Sequence, residues 1–304
     1  MKIAALDLGS NTFLCLIAEV EAGAITRIYA DETEMVRLGQ QLEANRHLHP
    51  EALQRADACL ERYSRLIKEH KPQRVLAMAT SAARDAVNKH ELFAIAAKHG
   101  IPLEIIPGDK EAEITYQGAV SALKDENKNI LVLDIGGGST EFVFGHEKNL
   151  LIGKSFDIGC VRLSERFITN QPTPVKEVLA ATAYIDSQLQ AALELTPKDF
   201  KLDQIIAVAG TPTSLVVAEL GVFDPALIDG FALDRAKLND WFFRLSKATV
   251  DEKINMGIPK GRADVILVGV IILLRALNLF GLQQITVSTR GVRYGVALEA
   301  ARRA

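Results

Sequence analysis

The chain has 304 residues, of which 48% are hydrophobic and 24% charged, and its formal net charge is -3. That length buries one large core or two medium ones, and two domains is the better expectation. The near-neutral balance gives no global attraction for nucleic acid or an anionic membrane, so capture of a polyanion must come from a local cleft.

Strand-like and helix-like patterns alternate along the sequence, which points to an α/β fold. Lys2–Leu8 and Phe13–Val20 read as apolar strands joined by a turn through Gly9, Ser10, Asn11 and Thr12. Pro50–Lys68 places Leu53, Ala56, Leu60, Tyr63 and Ile67 at the spacing of one helical face. Arg74–Ala79 is a short strand, and Ser81 opens a helix running towards His99. Leu103–Ile106 is a strand stopped by Pro107 and Gly108, with Asp109 the expected N-cap of a helix over Lys110–Leu123.

The polar run Lys124–Asn129 is the expected boundary, giving lobes of residues 1–124 and 125–304. Past it, Asn129–Leu133 and Glu141–Gly145 form a second strand pair around Gly136–Thr140. A helix over Val175–Leu193 precedes a strand at Gln204–Val208, where Thr211 caps a further helix and Pro212 takes its first position. Another helix is expected over Arg235–Ser246 and a long one over Arg262–Phe280. The apolar stretch of that long helix, Val265–Leu274, is too short to span a bilayer. Gln284–Ser288 is a last strand before a Gly-rich turn and a terminal helix, which is left able to fold back onto the first lobe.

One internal repeat stands out. Ile3–Ser10 lines up with Ile130–Gly137: in both, an apolar strand ends in Asp-apolar-Gly, turns through small residues and returns as a strand. Two copies imply duplicated lobes facing each other. Turns of Gly, Ser and Thr let backbone N–H groups approach an anion, so Gly9, Ser10 and Asn11, with Gly136, Gly137, Gly138, Ser139 and Thr140, are candidate phosphate grips. Asp7 and Asp134 precede these turns, and a carboxylate beside phosphate calls for a divalent cation such as magnesium. Taken singly, either aspartate also reads as a turn or capping residue. Glu141 starts the strand returning from the second turn, so it and Asp134 are expected to share a metal or its water; the alternative is an exposed strand glutamate.

Glu111 falls in the first turn of its helix, where spacing alone favours a helix-start acid, with a base for an attacking water as the alternative. Gly210 and Thr211 open a third strand-to-helix junction able to bind phosphate. Arg84, Arg162, Lys260, Arg262, Arg290 and Arg293 sit at the same kinds of junction, as phosphate partners or solvated charges. His47 and His49 make no zinc site, no nucleophile triad is evident, and no GxxxxGK[ST] loop occurs. Cys15, Cys59 and Cys160 form neither a CxxC pair nor a disulfide framework, which suits a reducing compartment. No signal peptide is expected, and a cytoplasmic location is.

Taken in order, Asp7–Thr12, Ala79–Arg84 through Asn88, Gly108–Ala112, Asp134–Glu141, Gly159–Leu163, Arg262–Asp264 and Gly291–Gly295 resemble the exopolyphosphatase / guanosine pentaphosphate phosphohydrolase family over nearly the whole chain. That family lies in the superfamily of acetate kinase, sugar kinases, heat-shock chaperones and actin. The resemblance implies two ribonuclease-H-like, actin-like lobes with the active site in an interlobe cleft. It implies Glu111 as general base, Asp134 and Glu141 as magnesium-associated groups, and the three turns with Arg84 as phosphate contacts. Its members remove terminal phosphate from inorganic polyphosphate, from pppGpp, or from both.

Two departures stand out: Lys110 occupies a position where a second acid is expected, and a short form without the added helical, HD-like part of longer relatives is expected. The short form is therefore expected to favour short polyphosphate or a nucleotide. The expected partner is polyphosphate or a guanosine penta- or tetraphosphate, with no nucleic acid and no membrane, and a homodimer is left open. A non-catalytic sensor of the same ligands and an ATP-dependent kinase of the superfamily remain as alternatives.

Overall fold

In the computed structural model, which describes residues 1–123 and 127–303, Lys2–Leu8 (β1) is the middle strand of a five-stranded sheet. Phe13–Glu21 (β2) and Ala24–Glu34 (β3) follow it, then the helices Leu42–Asn45 (α1) and Pro50–His70 (α2). Arg74–Ala79 (β4), Ser81–Asp85 (α3), Lys89–Lys98 (α4), Leu103–Ile105 (β5) and Gly108–Val120 (α5) complete this part. The order is β3-β2-β1-β4-β5, with β1–β3 antiparallel in succession and β4 and β5 parallel to β1. Both faces of β1 are covered, which explains its unbroken apolar run. Ala4, Leu6 and Leu8 join one core with α2 residues such as Leu60 and Tyr63, whereas Ile3 and Ala5 join another with Val296 and Ala297.

The same wiring recurs after residue 127. Asn129–Ile135 (β6), Thr140–His146 (β7) and Asn149–Phe156 (β8) lead to Cys160–Phe167 (α6) and Val175–Glu194 (α7). Next come Gln204–Val208 (β9), Gly210–Leu220 (α8), Pro225–Ile228 (α9), Ala232–Asp234 (β10) and Arg235–Ser246 (α10). Val250–Asn255 (α11), Ile266–Phe280 (α12), Gln284–Val287 (β11) and Val292–Arg302 (α13) close the chain. The second sheet runs β10-β11-β9-β6-β7-β8. From its β8 edge, three antiparallel strands and then two parallel ones repeat the first sheet, with β10 added. The chain is thus an α/β protein with two ribonuclease-H-like lobes, and the repeat read at Asp7 and Asp134 marks equivalent strand ends.

Contacts divide the chain into one unit of Met1–Ala122 with Gly291–Ala304 and another of Leu123–Arg290. The terminal helix α13 packs on α5 and β1. The boundary expected at 124/125 lies outside the described residues. No described helix is long and apolar enough to cross a membrane; α12 is apolar on nearly every side because it is buried in the second core with Leu133, Phe144 and Trp241.

Several element limits differ from expectation, each for a local reason. The helix expected from Ser81 to His99 is broken into α3 and α4. Asn88 instead brackets Leu48, accepting from its amide at 2.7 Å and donating to its carbonyl at 3.2 Å, and Val87 N–H donates to Arg46 O. The long helix starts at Ile266 rather than Arg262, after a turn in which Gln171 Nε2 donates to Asp264 O. Asp109 lies inside the first turn of α5, whose N-cap is Pro107. Likewise α8 begins at Gly210 with Ala209 as its cap, two residues earlier than a Thr211 cap would give.

A buried lysine gives this second core a measurable pH dependence. Lys253 on α11 has no solvent exposure, and its ammonium lies 2.6 Å from Gln171 Oε1. Burial lowers its pKa from 10.5 to about 8, with Asp264 opposing. The folded state therefore holds this proton less tightly than the unfolded chain does. The penalty is fully present below pH 8 and fades as pH rises towards 10.5. Lys253→Met is expected to raise the thermal midpoint relative to wild type at pH 7, and that gain is expected to shrink between pH 8 and 10.5. A gain independent of pH, followed by thermal melts, would contradict the assignment.

Candidate active site

In the first unit the sequence turn is braced from three sides. Gly9 N–H donates to Thr12 O at 3.1 Å, closing the loop between β1 and β2. Arg37 N–H donates to Asn11 O and Gly39 N–H to Ser10 O, both at 2.8 Å. The Val36–Gly39 segment was absent from the sequence reading; its one local signal is the Leu-Gly pair. Arg37 has φ +54°, a left-handed conformation unusual for a side-chain-bearing residue. Ser10 Oγ accepts from Ala82 N–H at 3.1 Å, so this hydroxyl ties the turn to the start of α3. Asn11 Nδ2 lies 3.7 Å from Met35 Sδ. Asp7 is buried at the end of β1, and its register partner on β2 is Leu14.

That connection leads to Glu111. Helix α3 carries Arg84, whose Nη1 donates to Ile106 O at 3.0 Å and to Glu111 Oε2 at 2.5 Å. Glu111 stands in the first turn of α5 with 5% exposure. Burial pushes its carboxyl above the ordinary carboxylate range, against the opposing pull of Arg84 and a Thr80 hydrogen bond. A carboxyl raised by burial and held at a helix start is suited to taking a proton from water. Lys110, the departure beside it, turns to Glu113 at 3.0 Å and Glu299 at 3.6 Å. Its charge is thus balanced on the α5–α13 side.

The second unit repeats the turn, with Gly136 N–H donating to Ser139 O at 3.0 Å. Here the carbonyls are tied back: Gly136 O accepts from Cys160 N–H, and Gly137 O from Val161 and Arg162 N–H, at 2.9 to 3.0 Å. These bonds to the start of α6 fix how the peptide planes of Gly136–Gly138 face. Gly159 permits the approach, since a Cβ there would lie 2.2 Å from Gly137 O. Arg162 Nε donates to Gly138 O at 2.7 Å, so this arginine also holds the loop. Ser139 is buried, and Thr140 Oγ1 donates to Ile158 O at 2.7 Å.

Asp134 and Glu141 are direct register partners across β6 and β7, with 5% and 1% exposure. Opposite residues of an antiparallel pair share a face, so both carboxylates lie on one side of the sheet. Glu141 is therefore a buried strand residue, and the exposed-strand alternative does not hold. Among the described residues, no group of three or more His, Cys, Asp or Glu side chains could hold a metal by itself. Two neighbouring buried carboxylates fit magnesium, which takes one or two protein oxygens and fills its shell with water and phosphate.

At the third junction Ala209 has φ +69° and ψ -165°, a conformation nearly confined to glycine. Gly210 follows, and a Cβ on it would lie 1.7 Å from the Arg262 guanidinium carbon. Arg262 is thereby laid against the start of α8, where Thr211 is also buried. Lys260 is exposed. Arg293, read as a substrate contact, makes a bidentate pair with Asp31 at 2.7 and 2.9 Å, so its fork is committed to fixing α13 against β3.

A family model described as the Ppx/GppA phosphatase family matches residues 16–304. The chain is 37% identical to exopolyphosphatase 2 of Mycobacterium tuberculosis, over 99% of this chain and 98% of that protein. It is 28% identical to the guanosine-5'-triphosphate,3'-diphosphate pyrophosphatase of Pseudoalteromonas atlantica, over 96% of this chain and 57% of that longer protein. Among solved structures it resembles an exopolyphosphatase from Cytophaga hutchinsonii, at 28% identity and a TM-score of 0.89, covering 97% of this chain and 96% of that one.

Proposed function

The chain belongs to the Ppx/GppA phosphatase family, and from that premise we propose that it hydrolyses the terminal phosphoanhydride of inorganic polyphosphate, of pppGpp, or of both. Water attacks the terminal phosphorus, the new P–O bond forms as the anhydride P–O bond breaks, and orthophosphate leaves with a chain shortened by one phosphate. Glu111 takes the proton of the attacking water, and the observation that carries this reading is its burial with the Arg84 contact at 2.5 Å. Arg84 orients the carboxylate and is within one helix of the Ser10 turn, so base and phosphate grip are mechanically joined.

Asp134 and Glu141 are the residues that would hold magnesium, which when bound neutralises phosphate charge. Backbone N–H groups of the Gly9–Asn11, Gly136–Thr140 and Gly210–Thr211 turns, other than those of Gly9 and Gly136, which close their own turns, stabilise phosphate charge, the dominant contribution in phosphoryl transfer. Asp7 would be a further carboxylate for the magnesium ion. A cytoplasmic setting is part of the proposal, and the three free, buried cysteines support a reducing one.

A side-by-side assay of phosphate release from short polyphosphate, long polyphosphate, pppGpp and ATP tests the substrate class. Release from ATP alone, with none from the other three, would exclude it. Gly210→Ala examines the third grip separately. Its Cβ cannot coexist with Arg262, so the guanidinium must move; KM is expected to rise roughly 10- to 100-fold, as for loss of one charge-assisted contact. An unchanged KM by steady-state kinetics would remove Arg262 from substrate binding.

A further inference from the structure

The row of side chains that carries Asp134 and Glu141 continues onto a third strand. Ser155 on β8 is the register partner of Glu141, and its hydroxyl donates to Glu141 Oε1 at 2.6 Å. The duplicated unit supplies an internal comparison. Its matching row reads Asp7, Leu14 and Thr33 across β1, β2 and β3. A first aspartate and a third hydroxyl stand in both rows, but only the second row has a carboxylate between them.

We propose that Ser155 is a positioning residue that fixes the Glu141 carboxylate for magnesium. The proposal rests on the reading of Asp134 and Glu141 as magnesium-associated groups and adds a residue to it. Two carboxylates facing each other in register repel when no cation lies between them. Glutamate also has a terminal torsion with a broad, weakly defined preference, so burial alone does not set the plane of its oxygens. A short bond from a neighbouring strand sets it. Because serine is neutral, it does this without cancelling the negative charge that attracts the cation. Magnesium demands near-octahedral geometry, so a carboxylate turned out of plane is felt directly in affinity. Partners of this outer kind are typically worth about 10- to 100-fold in metal affinity.

The test uses the full chain with Ser155→Ala and Ser155→Thr, and Mn2+ as the probe in the presence of orthophosphate. Loss of the free Mn2+ paramagnetic resonance signal reports binding without turnover. Ser155→Ala is expected to weaken Mn2+ binding and to raise the Mg2+ concentration for half-maximal phosphate release, each by about 10-fold or more. Ser155→Thr, which keeps the hydroxyl, is expected to restore both. A merely structural role would lower the thermal midpoint while leaving both midpoints for metal unchanged, and that result overturns the proposal. If wild type itself neither binds Mn2+ nor requires Mg2+, the metal reading falls and this inference with it. Normal metal binding by wild type and Ser155→Ala alike would overturn the inference alone.

Discussion

Glu111→Gln is expected to lower turnover by about 10²- to 10⁴-fold, the range of a lost general base, with KM for polyphosphate little changed. The amide keeps the volume of the side chain in a site of 5% exposure, so the packing around α5 survives. What it loses is the ability to accept a proton. In wild type, activity should rise with pH through the Glu111 pKa, which burial places above the ordinary carboxylate range. The ionised form is the working one, so the acid limb of the profile lies at higher pH than a solvent-exposed glutamate would give. In Glu111→Gln the residual activity should lose that limb. Rate measurements across pH 4 to 9, roughly bracketing ordinary and raised carboxylate pKa values, distinguish a lost base from a damaged fold. Near-normal turnover with an unchanged limb would remove Glu111 from the reaction.

Asp134→Asn should have an effect of similar size but a different signature. Asp134 and Glu141 face each other across β6 and β7. Asparagine keeps the shape of Asp134 and removes half of the paired negative charge. The expected outcome is a fall in turnover of about 10²-fold or more, with a large rise in the Mg2+ needed for half-maximal rate. Asp7→Asn in the first unit is the informative comparison, since its register partner on β2 is Leu14, where Asp134 faces Glu141. Its effect on the Mg2+ requirement should be smaller. Equal shifts for the two variants, read from Mg2+ titrations of phosphate release, would mean that the register pair has no special hold on the metal.

The duplication was legible in the sequence because the strand ending in Asp-apolar-Gly is buried along nearly its whole length in each sheet, where composition is constrained. The two turns even close through the same hydrogen bond, Gly9 to Thr12 and Gly136 to Ser139. By contrast β3 and β8 went unread. Both are edge strands with little burial, and β3 carries Arg27, Asp31, Glu32 and Glu34, which blur the alternation that marks a half-buried strand. The Asp134–Glu141 pairing was legible because a short loop fixes which residues face each other.

Arginine roles were much less so. A sequence shows a guanidinium at a junction but not its partner. Arg293 spends its fork on Asp31, Arg162 on a loop carbonyl, and Arg84 on Glu111. The Ser10 hydroxyl likewise braces α3, a use that depends on residues more than seventy positions away. The same limitation hid Ser155, since only strand register brings it to Glu141.

The most direct measurement follows the oxygen of the attacking water. Wild-type protein turning over short polyphosphate or pppGpp in oxygen-18 water, with Mg2+ present, should release orthophosphate carrying one labelled oxygen, and the shortened product should carry none. Label in the shortened product, or consumption of substrate that requires an added acceptor and yields unlabelled phosphate ester, would contradict hydrolysis at the terminal phosphorus.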